Sequence, residues 1–331
     1  MTGETSAGSR PDVGEAGRRP LALVTGAGRS AGIASSVVLD LARAGWDVAF
    51  AYWTPYDARM RWGRESGAPE ELRAKAASRG ARTHAVEADL SDPAVPAQLF
   101  DSVEGALGNV TALVLCHCES VDSGLSDTTV ESFDLHFAVN ARATWLLIRE
   151  YGLRFRGQHG SGRIVSLTSD HTVGNLPYGA SKGAMDRITT AAAHELAHLG
   201  VTCNAIDPGP TDTGWMDEEQ KADLIRSTPP GTPRRPAGCA NLVTFLCSAE
   251  GAGSTPSSSG ATAASVGPDA LHASSRWVSC PPASSGGGGL VTRSRWAPIQ
   301  ALMSVVVSGQ ARWRGRRRFR ADTGGRISEG R

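Results

Sequence analysis

Lysine is almost absent from this chain. Of its 331 residues only Lys75, Lys182 and Lys221 are lysines, and arginine carries the rest of the positive charge. A general need for positive charge at position 182 would have been met by arginine, so the amine of Lys182 calls for an explanation of its own. Net charge is missing too. At +1 the chain exerts no bulk attraction on nucleic acid or an anionic membrane. No apolar stretch approaches the roughly 18 residues that span a bilayer. The polar, glycine-rich opening "MTGETSAGSRPDVGEAGRRP" offers no apolar run for a signal peptide and reads, over residues 1–19, as a disordered leader. The cysteines (Cys116, Cys118, Cys203, Cys239, Cys247 and Cys280) sit mostly in apolar surroundings. That fits buried thiols of a cytoplasmic protein better than a disulfide framework. Cys116 and Cys118 enclose His117, but no second Cys/His pair completes a zinc site, so no metal is expected.

What is present is an alternation. "LALVTG", "DVAFAY", "THAVEAD", "TALVLC", "GRIVSLTS" and "VTCNAIDPG" read as strands, most of them too continuously apolar to have a wet face. Helical patterns separate them, over 33–44, 70–78, 97–107, 130–155 and 177–199. This predicts an α/β fold of Rossmann type, a doubly wound parallel sheet with right-handed crossovers, as a single domain over residues 20–250. From 251 to 331 the periodicity is lost in "GAGSTPSSSGATAASVG", "CPPASSGGGGL" and "RWRGRRRFR". That stretch reads as a low-complexity, disordered tail.

Two places carry chemistry. "LALVTGAGRSAGIA" puts a glycine-rich turn between the first strand and a helix. Gly26 and Gly32 let the backbone approach a pyrophosphate, and the helix opening at Ile33 presents free N–H groups to it. In "LTSDHTVGNLPYGASKGAMD", Tyr178 and Lys182 are four apart and share a helix face. Free tyrosine, with a pKa near 10, is a poor proton donor or acceptor at neutral pH. A neighbouring ammonium favours the tyrosinate and moves it toward the working range. The compact ammonium also suits a ribose hydroxyl better than the planar arginine fork does.

"YGASK" resembles the Y-x-A-S-K active-site helix of the short-chain dehydrogenase/reductase family, and other segments resemble that family's motifs in order. The glycine-rich turn is similar to its T-G-x-x-x-G-x-G, with a two-residue insertion that puts Gly32 and Ala34 at the last two positions. "VEADLSD" resembles the strand end that binds adenine, which implies Asp89 and Leu90. "HFAVNARATWLL" resembles the segment carrying the catalytic asparagine, here Asn140, and "GRIVSLTS" the strand ending on the catalytic serine, here Ser169. "NAIDPGPTDT" is similar to the segment beside the nicotinamide, which implies Pro208, Gly209 and Thr213. The resemblance spans about residues 20–250 and includes members like 3-oxoacyl-acyl-carrier-protein reductase. Two departures stand out: the loop from Ser169 to Tyr178 is short, and "LCHCES" replaces the N-N-A-G after the fourth strand. There His117 reads as a packed or backbone-bonded imidazole, with catalysis the other option. Asp170 and His171 read as pocket lining.

The second strand ends at Tyr52 and Trp53, where an NAD-preferring enzyme of this fold usually has a carboxylate for the ribose. Arg29 matches the family's phosphate-facing basic position. The cofactor expected is therefore NADP rather than NAD, with Tyr52 or Trp53 packing on the adenine. The function implied is hydride transfer between NADP and a carbonyl or secondary alcohol, of ketone or 3-oxoacyl type. By resemblance Ser169 bonds the carbonyl oxygen, Tyr178 donates the proton, Lys182 holds the ribose and Asn140 anchors a water. The partners implied are a small molecule and further copies of this chain, as homodimer or homotetramer. The rivals are an NADP-sensing protein without turnover, an inactivated family member and an arginine-rich nucleic-acid tail. Inactivation would follow from loss of the family's last strand, which is expected after Gly251. Codons for 252–264 can be chosen so that a one-base shift reads W-V-N-A-Q-L-L-R-R-D-G-G, so a frameshifted translation is the expectation there.

Overall fold

The computed structural model describes residues 19–227 and 234–254. The expected leader, apart from Arg19, and the expected tail from residue 255 onward lie outside the described residues. Arg19 itself is tied to the fold, its guanidinium donating to the carbonyls of Ala42 at 2.7 Å, Gly45 at 2.9 Å and Gly80 at 2.6 Å.

All six expected strands form: β1 (Leu21–Thr25), β2 (Asp47–Tyr52), β3 (Thr83–Glu87), β4 (Ala112–Leu115), β5 (Arg163–Leu167) and β6 (Thr202–Ile206). They make one parallel sheet in the order β3-β2-β1-β4-β5-β6. Alternate residues of one strand feed two cores. Ala22 and Val24 pack with α1 (Ile33–Arg43), α3 (Ala68–Ala77) and α9 (Pro236–Cys247). Leu21 and Leu23 pack with α4 (Val95–Leu107), α6 (Ala143–Arg154) and the end of α7 (Leu176–Glu195). That is why these strands read as unbroken apolar runs: both faces are covered.

The chain reverses direction of winding between β1 and β4, and a doubly wound sheet opens a crevice at that point, beyond the carboxyl ends of the strands. Three features differ from the expected elements. The helix expected over 130–155 is α5 (Val130–His136) and α6 joined by a π-helical turn, Phe137–Arg142. A short α2 (Thr54–Arg59) follows β2, and α9 follows α8 (Glu218–Ser227). Helix α7 ends at Glu195, and a short 3₁₀ turn leads to Gly200, whose φ of +69° stops helical propagation. Among the described residues β6 is an edge strand, and the closing strand expected beyond Gly251 lies outside them apart from its first few positions. No described helix is long and apolar enough to cross a membrane.

Candidate active site

A cleft of about 1270 Å³ lies over the carboxyl ends of the strands. Its floor is the glycine-rich turn. Gly26 has φ +81°, and a Cβ there would stand 2.7 Å from the backbone nitrogen of His117, so no other residue fits. Gly32 caps α1 without a side chain, and Ile33 begins the helix with its first N–H groups beside the cleft. Every predicted cofactor-side residue borders this one cleft. Asp89 is braced at the end of β3, its Oδ1 accepting from the Ser91 N–H at 2.9 Å and hydroxyl at 2.7 Å, with Leu90 buried beside it. Tyr52 is half-buried at the end of β2, and Trp53, 37% exposed, is the N-cap of α2. Gly209 donates its N–H to Asp207 Oδ1 at 2.8 Å, and Arg234 donates to the Pro208 carbonyl at 3.0 Å, which shapes the segment after β6.

The first turns of α7 bring the chemistry together. Lys182 is only 2% exposed, and its ammonium donates to the Leu167 carbonyl at 2.7 Å. No carboxylate forms an ion pair with it among the described residues. A buried ammonium with donors to spare at the edge of a large cleft fits a polyhydroxyl group such as a ribose. Burial lowers its pKa, partly offset by nearby acidic groups. Tyr178 shares a side-chain hydrogen bond with Ser169, whose Oγ also accepts from the His171 N–H at 3.2 Å.

The expected lowering of the Tyr178 pKa is not what this geometry produces. Burial and then Cys118 push the phenol up, and only the bond from Ser169 opposes them. The physical reason is burial, the largest cause, which the Lys182 ammonium, 5.6 Å from the centre of the phenol ring, does not reverse.

Asn140 sits one layer behind the cleft wall, fully buried in the π-helical turn. Its Oδ1 accepts from the Glu119 N–H at 2.8 Å, and its amide donates to the Glu119 carbonyl at 2.9 Å and to Ser181 Oγ at 2.8 Å. The side chain thus clamps the loop after β4 to α7, with both amide N–H groups engaged. The extra residue of the π turn is what aims it at both loop and helix.

His117 is backbone-bonded. Its Nε2 lies 3.1 Å from the Val139 carbonyl, which only accepts, so Nε2 carries the proton and Nδ1 accepts from Thr25 Oγ1 at 2.7 Å. Burial holds this imidazole down to about 3, with Lys182 adding to the effect, so it is neutral at any ordinary pH. Cys118 borders the cleft as a protonated thiol, pushed up to about 11 by burial. Asp170 and His171 line the pocket as expected. The short loop they belong to lies against α7 at Gly179, where a Cβ would stand 2.5 Å from the His171 carbonyl oxygen.

Sequence reasoning missed the strap that runs from α2 to Glu65, whose first part, through Tyr56, Asp57 and Arg59, lines the cleft. Arg59 pairs with the buried carboxylate of Glu119, and Tyr56 donates to the Ser120 carbonyl at 3.4 Å. Further along, Trp62 stacks on Trp215, and Arg29 donates to the Thr213 carbonyl beneath them. The only hint in the sequence was a run of aromatic and charged residues too irregular for a helix face, "WTPYDARMRW".

A family described as enoyl-(acyl carrier protein) reductase matches residues 26–258. The chain is similar to YjdA, an oxidoreductase of Bacillus subtilis, at 33% identity over 70% of this chain and 90% of the relative. It is similar to an NADPH-dependent aldehyde reductase-like chloroplastic protein of Arabidopsis thaliana, at 30% identity over 72% of this chain and 90% of that one. Among solved structures, a blue fluorescent protein from a metagenomic library, in complex with NADPH, superposes with a TM-score of 0.64 at 27% identity. That match covers 72% of this chain and 94% of the other. The chain belongs to the short-chain dehydrogenase/reductase family and is an oxidoreductase of that type.

Proposed function

We propose that this protein moves a hydride between NADP and a carbonyl or secondary alcohol, with ketones or 3-oxoacyl compounds as the substrate class. The observation that carries the reading is the convergence of Ser169, Tyr178 and the buried Lys182 at one end of a dinucleotide-sized cleft. The cofactor would supply the hydride as NADPH in the reducing direction and accept it as NADP+ in the other. The NADPH dependence of the Arabidopsis relative and the NADPH held by the fluorescent protein support NADP over NAD. So do Arg29 in the glycine-rich turn and the absence of an acid at Tyr52.

In this reading Ser169 and Tyr178 both bond the substrate oxygen, replacing the bond they now make to each other. Tyr178 gives that oxygen its proton. A phenol held above its usual pKa stays protonated until that moment, which suits a donor in the reducing direction. Lys182 binds ribose hydroxyls with its unused donors and offsets the negative charge left on the phenolate. Asn140 keeps α7 in place through Ser181 rather than reaching the reactants. Trp145 and Leu153, 51% and 59% exposed on α6, support self-association through that helix.

Replacing Tyr178 by Phe tests the mechanism. Ketone reduction should fall by at least about 100-fold, while NADPH titrates with nearly the wild-type affinity. Unchanged turnover would mean that Tyr178 is not the proton donor.

A further inference from the structure

The strap between α2 and α3 plays no part in the mechanism above, yet several of its contacts meet at one residue, Trp62. Its indole stacks on Trp215 with ring centres 5.3 Å apart and planes 7° from parallel. Its N–H donates to Asp57 Oδ1 at 2.9 Å. The Arg29 guanidinium lies 4.5 Å from its ring centre and donates to the Thr213 carbonyl. Arg29 belongs to the glycine-rich turn, while Thr213 and Trp215 belong to the segment after β6. Trp62 touches both segments, Arg29 of the first and Trp215 of the second.

The surroundings make the placement of Arg29 matter. Asp57 and Glu65 both lie close enough to act on its charge, and Glu65 accepts the Ser30 N–H at 2.9 Å. An arginine free to turn would pair with these acids, and the same acids repel a phosphate. Held between a ring face and a carbonyl, the guanidinium is instead ordered before any ligand arrives, so binding spends less entropy on it.

We propose that Trp62 is a positioning residue for the cofactor. It fixes Arg29 where a 2′-phosphate meets it, and through Trp215 it ties that turn to the substrate-side segment, so that phosphate binding orders both segments together. The proposal rests on the NADP reading above.

The test uses the full chain, with NADPH and NADH titrated calorimetrically and hydrogen exchange followed across residues 211–217. In the wild type, NADPH should slow exchange there. Trp62→Ala should weaken NADPH about tenfold and NADH less than about threefold, and should abolish the slowing. Trp62→Phe, which keeps a ring face, should restore most of both. Trp215→Ala removes the tie but leaves Arg29 on Trp62, so it should lose the slowing and keep the preference for NADPH. An unchanged NADPH-to-NADH ratio, or unchanged slowing, in Trp62→Ala overturns the proposal. Should that variant not fold, Trp215→Ala decides: unchanged slowing overturns the coupling, and its loss with the preference kept supports it. A wild type that binds no NADPH would defeat the cofactor reading itself, a separate outcome.

Discussion

Lys182, Asn140 and His117 are each fixed by backbone carbonyls or amides inside the core, whereas Arg29, Arg59 and Trp62 are fixed by contacts at the rim, mostly between side chains. A group bonded to the backbone of a buried sheet moves only if the sheet moves. Rim contacts join side chains from separate loops, so they shift when those loops shift. The difference separates two tasks. The corner holds reacting atoms still, and the strap selects and retains what enters.

Three measurements would break or sharpen that division. The largest effect belongs to His117. Its pKa falls from 6.5 in the unfolded chain to about 3 in the fold. Below pH 6.5 the unfolded chain takes up a proton that the native state refuses. This contribution to stability is therefore complete above that pH and is lost as pH falls toward 3, by up to about 5 kcal/mol. Urea unfolding of wild type and His117→Asn between pH 7 and 4 checks it: the variant should show the flatter profile, and parallel profiles would mean that the imidazole is not buried neutral. Next comes Lys182→Ala, which should slow turnover by about 100-fold, near 3 kcal/mol in the barrier, and also weaken NADPH binding. An effect on only one of the two would separate roles that the geometry joins in a single amine. The smallest is Arg29→Ala. It should cost NADPH about tenfold in affinity, near 1.4 kcal/mol, and leave NADH within about twofold. Equal losses by titration would reduce Arg29 to a shaper of the turn.

The corner was legible in the sequence and the strap was not, for physical reasons. Strands such as Leu21–Thr25 declare themselves through local apolar continuity, and Tyr178 and Lys182 through the four-residue spacing of a helix face. The meeting of Arg29, Trp62 and Trp215 joins three separate loops, and no period links them. The direction of the Tyr178 pKa was misjudged because spacing shows that an ammonium is near without showing how far the phenol is buried. Asn140 was expected at its position, but the π turn that turns its amide inward leaves no pattern in composition.

Gly179 has a consequence for any attempt to retune this protein. The loop from Ser169 to Asn175 is one wall of the cleft, and it rests on α7 where residue 179 has no side chain. Wall and helix are therefore cut to one template. A longer loop could rise off the helix and accept a larger residue at 179, while a larger residue beneath the present loop would pry it outward and carry the Ser169 hydroxyl with it. Widening the pocket thus takes paired changes, in loop length and at position 179, and a search that alters either one alone will mostly find inactive variants.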